Sequence, residues 1–212
     1  MIWKIRLGIL VCLGGFLGVL PAHADIEIGS SSIEFPDGSV QSTASPGTYT
    51  IGSVGPAGGW VFYVTNDGLH GLEAAPVDQV VPPDPTAAGW GCYDTDLSGF
   101  DVDRIGRGAA NTEDIIRGCP WTNPQSAATT ASEYVSPSGY FDWYLPSIEE
   151  LQLMRENIGQ GNANVGGFAN DVYWSSSEVS STQAWSSQFF FADNKIPDDK
   201  RTKRGVRAIR TF

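Results

Sequence analysis

The chain has 212 residues, of which 41% are hydrophobic and 17% charged, and its formal net charge is −11 at pH 7. That length is enough for one ordinary domain with its own core plus a tail. The acidic balance excludes a general attraction to nucleic acid or to anionic membranes.

Residues 1–24 have the layout of a secretory signal peptide. A positively charged start is followed by the apolar run Leu7–Leu20 and by Ala22-His23-Ala24, an A-x-A cleavage motif. The apolar run is shorter than the roughly 20 residues that span a bilayer. We therefore predict cleavage between Ala24 and Asp25, no membrane span, and export to the periplasm, the cell surface or the medium.

Two cysteines remain after this cleavage, Cys92 and Cys119. An even count in an exported protein indicates one disulfide bond. Closing a loop of about 28 residues is expected to contribute roughly 3–4 kcal/mol in the chain-entropy model. A redox pair or half of a metal site is the alternative, but the spacing fits neither C-x-x-C nor a zinc pattern.

Residues 25–47 are poor in large apolar residues and rich in Ser, Gly, Pro and Thr, which predicts a flexible N-terminal arm or linker. Pro36-Asp37-Gly38 is a turn signal between short apolar segments. The surrounding 32–44 stretch resembles a Phe-Pro-Asp-Gly-Thr-Val-Gln element found beside trimeric stalks and tail-fibre-like proteins. That resemblance implies a possible homotrimer through the arm, and an unstructured spacer is the alternative.

The domain proper, 48–212, is predicted to combine short strands with two or three short helices. Trp60–Val64 is apolar on both faces and suits the interior of a sheet, and Asn66-Asp67-Gly68 predicts a hairpin turn. Further strands are predicted at 71–75, 184–191 and 205–211. Residues 172–178 are interpreted as the end of a strand that enters a polar loop, and residues 193–203 as a charged loop between two strands. Helices are predicted from Asn111 or Thr112 to Gly118, over 124–135, and from Ser147 onward.

The stretch Gly139–Met154 organises the domain. An aromatic cluster runs into Leu145-Pro146, and Ser147 with Glu150 three positions later forms a capping box. The helix that follows has one apolar face. We interpret the stretch as core, and expect a ligand to contact the loops near 175–178 and 193–204 instead.

An acidic loop, 94–103, contains Asp94, Asp96, Asp101 and Asp103. Clustered oxygen ligands suit calcium, but the spacing is not that of an EF-hand and the bidentate glutamate is absent. A solvated acidic loop is the preferred interpretation, and we predict neither a metal nor a cofactor.

Basic residues concentrate near the C-terminus. Seven of the 11 that follow the predicted cleavage site lie in 195–210. Arg can hold sulfate or carboxylate in bidentate fashion, and a local patch can act despite a negative net charge. The candidate polyanion-binding residues are Lys195, Lys200, Arg201, Lys203 and Arg204. Neutralisation by nearby aspartates is the alternative, and Arg207 and Arg210 could instead be buried partners of Glu149, Glu150 or Glu178.

Other chemistry has weaker support. Trp90, Trp121, Trp174 and Trp185 lie beside polar segments and could stack on sugars, although aromatic residues usually belong to the core. A hydrolase needs a general base, and His70 is the only histidine after the signal. The serines 175–177 lack the Gly-x-Ser-x-Gly elbow. We predict no catalytic residues.

Six ordered motifs then identify a family resemblance. They are Gly-Pro-Ala-Gly-Gly-x-Val-Phe-Tyr-Val (55–64), Gly-Leu-Glu-Ala-Ala-Pro (71–76), Trp-Gly-Cys (90–92), Asp-Trp-Tyr-Leu-Pro-Ser-x-x-Glu-Leu (142–151), Tyr-Trp-Ser-Ser-Ser-Glu (173–178) and Val-Arg-Ala-Ile-Arg (206–210). The pattern resembles the C-terminal domain family of the Legionella collagen-like adhesin. The resemblance implies an α+β, C-type-lectin-like fold with mostly antiparallel sheets, in which the first and last strands pair.

That adhesin is trimeric and binds sulfated glycosaminoglycans. The present chain departs from it, because it has no collagen repeat and is strongly acidic overall. The expected function is an exported, non-enzymatic binding or adhesion module for polyanionic or other glycans. The alternatives are a structural or stalk-cap subunit that binds a protein partner, and a secreted hydrolase.

Overall fold

The computed structural model describes residues 48–80, 87–97, 102–119, 126–190 and 195–212, together with the backbone of three short strands before residue 48. The chain divides into two compact units, Met1–Gly47 and Thr48–Phe212. The predicted signal peptide and its cleavage site at Ala24 and Asp25 lie outside the described residues.

In the first unit, the described strands are β1 (Glu27–Ile28), β2 (Ile33–Glu34) and β3 (Val40–Gln41). They form an antiparallel sheet in the order β1-β2-β3. Strands β2 and β3 lie on either side of the predicted turn at 36–38 and pair in antiparallel fashion. The residues of the turn itself are outside the described part of the chain. Trimer formation through this arm stays a prediction.

The second unit is α+β, as predicted from the sequence. Its described part contains two antiparallel sheets, with strand orders β4-β5-β9 and β6-β7-β8. In chain order the elements are β4 (Trp60–Val64), β5 (Gly71–Ala74), α1 (Gly108–Gly118), α2 (Ala127–Ser132), α3 (Ile148–Ile158), a 3-10 turn (Gln160–Asn162), β6 (Val172–Glu178), β7 (Gln183–Gln188), β8 (Lys195–Asp199) and β9 (Ile209–Thr211).

The arrangement of β4, β8 and β9 differs from the predictions. First, β4 lies at a sheet edge rather than inside, with β5 as the central strand. Its apolar character is explained by the helix α3 that packs on it and by the turn before it, where Gly52 N–H donates to Val61 O at 2.8 Å and Val61 N–H to Ser53 O at 2.9 Å. The edge is therefore covered by the chain itself.

Second, the last strand, β9, pairs with β5 and not with the first strand of the domain. The two ends of the domain nevertheless meet, because the rings of Tyr49 and Phe212 lie 4.7 Å apart, edge to face. Third, the predicted charged loop at 193–203 contains β8, which pairs with β7 in register Trp185↔Pro197. Its three charged side chains and Pro197 gave the segment the composition of a loop.

The helices agree with the predictions in number, but one begins elsewhere. Ser147 caps α3 with the full capping box: Ser147 N–H donates to Glu150 Oε2 at 2.7 Å, and Glu150 N–H donates to Ser147 Oγ at 3.3 Å. Helix α1 begins at Gly108, before the predicted caps. Asn111 and Thr112 are buried inside it, where Asn111 Nδ2 donates to Val102 O at 2.6 Å and Thr112 Oγ1 accepts from Leu145 N–H at 3.0 Å.

The core has two parts, both of which contact the organising stretch. One is formed by α1 and α2 with Trp90, Trp143 and Trp174, and the other by α3 with the β4-β5-β9 sheet, Tyr173 and Phe189. The segment before α3 is fixed to β9 by two hydrogen bonds between Tyr144 and Ile209, both 2.9 Å. This bridge places residues 138–144 beside the last strand of the chain.

Candidate functional site

The predicted polyanion residues do not form one exposed cluster, because Lys200 lies inside the domain with 1% of its surface exposed. Its ammonium donates to the Glu178 carboxylate, to Thr95 O at 2.9 Å and to Cys92 O at 3.3 Å. It also lies 4.6 Å from the centre of the Trp90 ring. A buried charge is tolerated when it is paired and hydrogen-bonded in this way. Lys200 thus stabilises the fold and presents no surface charge.

Glu178 completes this internal cluster. Its second carboxylate oxygen accepts Leu97 N–H at 2.8 Å, so Lys200 and Glu178 together fasten the 92–97 segment to the β6-β7-β8 sheet. The same segment is fastened a second time by the predicted disulfide, since Cys92 and Cys119 are bonded with their Cα atoms 5.2 Å apart.

Lys195 and Arg204 are partly exposed and each has a carboxylate partner. Lys195 Nζ lies 3.0 Å from Asp103 Oδ2 and 4.1 Å from the centre of the Trp185 ring. Arg204 Nε donates to Asp198 Oδ2 at 2.6 Å. Their charges are therefore partly cancelled at the surface, which is the alternative that the sequence left open.

Arg201 and Lys203 are exposed. Arg201 forms a fork with Asp199, with donor–acceptor distances of 3.0 Å for Nε and 2.7 Å for Nη2, and its guanidinium lies 4.0 Å from the centre of the Tyr93 ring. The Arg201 hydrogen bonds hold the pKa of Asp199 down to about 2. The exposed members of the predicted polyanion site are thus Arg201, which stacks on Tyr93, and Lys203.

Arg207 is fully buried, as one sequence alternative proposed, but its partner is none of the predicted glutamates. Its Nε donates to Asp78 Oδ1 at 2.7 Å, and its Nη1 donates to Ala75 O at 3.0 Å and Gly166 O at 2.7 Å. Arg207 therefore ties the loop that follows α3 to the core.

Arg210 lines an open cleft of about 440 Å³. Its Nε and Nη2 donate to the two carboxylate oxygens of Asp142 at 2.8 and 2.9 Å. Its Nη1 donates to the fully buried Glu73 at 2.7 Å. The guanidinium also lies 4.4 Å from the centre of the Tyr140 ring. The cleft is lined by Ser138, Gly139, Tyr140, Phe141, Asp142 and Arg210.

Two features of this cleft are exposed to solvent. The Phe141 side chain stands out, with 77% of the residue surface exposed, and the Asp142 side chain is 54% exposed. The hydrogen bonds from Arg210 hold the pKa of Asp142 below its usual range, so this carboxylate is ionised and acts only as an acceptor. The cleft therefore presents an exposed aromatic ring next to a fixed hydrogen-bond acceptor.

The inner end of the cleft rests on Glu73. This carboxylate accepts Ala57 N–H at 3.1 Å and Gly59 N–H at 2.9 Å, besides the Arg210 guanidinium. A Cβ at Gly59 would lie 2.3 Å from Ala74 O, so the close approach requires glycine. The predicted Gly-Pro-Ala-Gly-Gly turn is therefore the support that holds Glu73, and through it Arg210.

The outer rim is held by the turn at 136–140. Ser136 N–H donates to Tyr140 O at 2.9 Å, Gly139 N–H donates to Ser136 O at 2.8 Å, and Gly139 has a φ of +87°. Ser138 Oγ donates to Ala57 O at 2.8 Å, which anchors the turn to the segment below Glu73. The aromatic rim is thus set on a hydrogen-bonded frame.

Sequence reasoning placed Tyr140 and Phe141 in the core and assigned no role to Asp142 or Arg210 as a pair. The expected ligand loop at 175–178 is instead strand β6, buried throughout. Its hydroxyls are used internally, as in Ser175 Oγ to Trp185 O at 2.7 Å and Ser177 Oγ to Val102 O at 2.9 Å. The signal for the cleft was the polarity of Asp142 between aromatic residues, which a purely apolar core would not contain.

The other candidates are placed as follows. His70 is exposed and lies 4.0 Å from Asp67, with no hydrogen bond to the serines of 175–177 in the described part of the chain. Trp90 and Trp174 are buried, Trp185 lies under Lys195, and Trp121 lies outside the described residues.

The acidic loop at 94–103 is only partly described. Asp103 pairs with Lys195, and Asp101 lies outside the described residues. Across the described ranges, no group of three or more His, Cys, Asp or Glu side chains is placed to hold a metal ion. None of the helices in those ranges is long and apolar enough to cross a membrane.

Comparison with known proteins adds no assignment. No protein-family model matches the chain, and no curated protein matches it.

Proposed function

We propose that this chain is an exported, non-enzymatic binding or adhesion module that recognises glycans. The observation that carries the proposal is the cleft at 138–142, where exposed aromatic residues stand beside a carboxylate fixed by Arg210. Ligand sites are typically concave, largely preformed, and lined by aromatic residues with a few placed polar groups. The cleft has each of these properties.

The proposal includes a C-type-lectin-like fold. It is supported by the six sequence motifs that resemble the adhesin domain, by the α+β architecture, and by the closeness of the domain ends at Tyr49 and Phe212. Export is supported by the signal-like residues 1–24 and by the bonded pair Cys92–Cys119, because disulfides persist in oxidising compartments.

A polyanionic glycan at the C-terminal cations is a second candidate. It is favoured by the exposed Arg201 stacked on Tyr93, with Lys203 close by in sequence. This version no longer uses Lys200, whose charge is buried. A structural or stalk-cap subunit assembled through the 25–47 arm is a third possibility, and it concerns the first unit alone.

The direct test is to express the full chain in a bacterial host, locate it by cell fractionation, and screen the exported protein on an array of uncharged and sulfated oligosaccharides. We expect recovery outside the cytoplasm and binding to at least one glycan class. Binding to sulfated glycans that is lost at high salt and in an Arg201→Ala/Lys203→Ala variant would favour the second candidate.

The proposed function would be overturned if the exported protein bound no glycan at any salt concentration. A trimer by light scattering that becomes a monomer on deletion of 25–47, without glycan binding, would point to the structural alternative.

A further inference from the structure

We propose that the cleft at 138–142 takes an uncharged saccharide, whose ring lies on Phe141 and whose hydroxyl groups donate to Asp142. This inference rests on the proposed glycan-binding function and specifies the ligand class of that site.

Phe141 is a large aromatic residue with 77% of its surface exposed, so it loses the stabilisation that burial would give. Its neighbour Tyr140 is 38% exposed and has one face occupied by the Arg210 guanidinium. Phe141 therefore offers the open ring face of the pair. The axial C–H groups of a sugar ring form an apolar surface that suits such a face.

Asp142 has acceptor positions that Arg210 does not use. An ionised carboxylate has about four acceptor positions on its two oxygens. Arg210 occupies one position on each oxygen, at 2.8 and 2.9 Å, which leaves acceptor capacity on both in a side chain that is half exposed. Two neighbouring sugar hydroxyls are the donors that match two acceptors held side by side.

The charges of Arg210, Asp142 and Glu73 determine which ligand charge the cleft favours. Arg210 carries one positive charge and is bonded to two carboxylates, Asp142 and the buried Glu73. The cluster is therefore net negative, and its only cation is engaged on both sides. A sulfated or carboxylated glycan would meet the Asp142 charge without a free cation to bind, so the charge balance favours an uncharged ligand.

Hydrogen bonds hold the rim of the cleft in place. The rim is fixed by the 136–140 turn, by Ser138 bonded to Ala57 O, and by the Tyr144–Ile209 bridge beside Arg210. Groups that are already held in place lose little entropy when a ligand binds. The site therefore needs no rearrangement to accept a sugar.

The test uses the full chain, an array of unsulfated hexose and N-acetylhexosamine oligosaccharides, and heparin oligosaccharides as the charged comparison. The variants are Phe141→Ala and Asp142→Asn, with Val135→Ala as a control because it removes a similarly exposed apolar side chain that does not line the cleft. Thermal denaturation of each variant verifies folding. Since Phe141 is exposed, its replacement should leave the melting temperature unchanged.

We expect the wild-type chain to bind an unsulfated oligosaccharide with an affinity that does not depend on salt. Phe141→Ala and Asp142→Asn should each weaken it by about tenfold, while Val135→Ala leaves it unchanged. If an unsulfated glycan binds equally well to all variants, or if only heparin binds and salt abolishes it, the inference fails while glycan binding itself stands. If no glycan binds the wild type, the proposed function fails as well.

Discussion

Burial decides what each basic side chain does near the C-terminus of this protein. Lys200 and Arg201 are adjacent in sequence, yet Lys200 is enclosed by Glu178 and backbone carbonyls, whereas the Arg201 side chain is 65% exposed. The desolvation cost of a buried charge makes its partner indispensable, while water screens an exposed pair. Identical formal charges therefore have different energetic weights.

We predict that Lys200→Met lowers the free energy of unfolding by roughly 3–5 kcal/mol, because it leaves the Glu178 carboxylate buried without its cation. Arg201→Met, the matched control, should leave the free energy of unfolding nearly unchanged, because water screens this exposed pair. Urea denaturation measures both. Adding Glu178→Gln to Lys200→Met should restore part of the loss, since the unpaired charge is then removed. Equal effects of the two single replacements would contradict the assignment.

A pH dependence is predicted for the Asp142–Arg210 pair. Arg210 lowers the pKa of Asp142, so the pair contributes stability above the ordinary carboxyl value of about 3.9, and that stability is lost as the pH falls through the lower folded-state pKa. Because Asp142 is half exposed, the contribution should stay below about 1 kcal/mol. Urea unfolding of the wild type and Asp142→Asn at several pH values should show a gap at pH 7 that closes in acid. If the stability difference between the wild type and Asp142→Asn grew as the pH fell, the predicted role of the Asp142–Arg210 pair would be wrong.

At the scale of elements, hydrogen-bonding side chains fix the start of α3 and allow strand β6 to bury polar residues. Glu150 closes the capping box of α3 and also accepts Gly106 N–H at 2.7 Å, which joins the helix start to the segment before α1. Burial raises the pKa of this carboxyl. Strand β6 likewise buries three serines, because each hydroxyl finds a bonding partner within the fold.

We predict that Ser147→Ala destabilises the protein by about 1–2 kcal/mol, because the Glu150 N–H loses its acceptor in a fully buried setting. Glu149→Gln, in the same helical turn but exposed, should cost below about 0.5 kcal/mol. Thermal and chemical denaturation of both variants provide the measurement. If the Ser147→Ala protein were as stable as the Glu149→Gln protein, the Ser147 cap would contribute nothing to the free energy of unfolding.

At the scale of the whole molecule, one segment is anchored twice. Residues 92–97 are held by the Cys92–Cys119 bond and by the Lys200–Glu178 pair. Lys200 and Glu178 are 22 positions apart, and both form hydrogen bonds to this segment. The anchoring positions α1 against the β6-β7-β8 sheet. Neither anchor includes a residue that lines the cleft at 138–142, so loss of either should affect stability before binding.

Replacement of both cysteines by serine is predicted to lower the free energy of unfolding by roughly 3–4 kcal/mol, because the unfolded chain regains the freedom of the loop between them. Reductant should lower the wild-type free energy of unfolding by a similar amount and therefore lower its denaturation midpoint. The midpoint of the Cys92→Ser/Cys119→Ser variant should not change. A wild-type midpoint that does not respond to full reduction would contradict this contribution.

Sequence by itself determined what depends on near neighbours. The capping box of α3 needs only Ser147 and Glu150, and the strands β4 and β5 follow from apolar runs around a turn. The disulfide followed from a count of cysteines, and the α+β class was implied by the six motifs that resemble the adhesin domain family. Their position in a predicted strand indicated that Arg207 and Arg210 could be buried, but the acids that accompany them are not the predicted ones.

Tertiary structure alone decided the partners and the cleft. Arg210 meets Asp142 across 68 positions and Glu73 across 137 positions, and Lys200 meets the carbonyl of Thr95 across 105 positions. Periodicity records which face of an element is apolar, but it carries no information on which distant charge will be desolvated beside another. That choice is made when the sheets and helices pack, because only then does burial set which pairs must form and which rings, such as Phe141, remain outside.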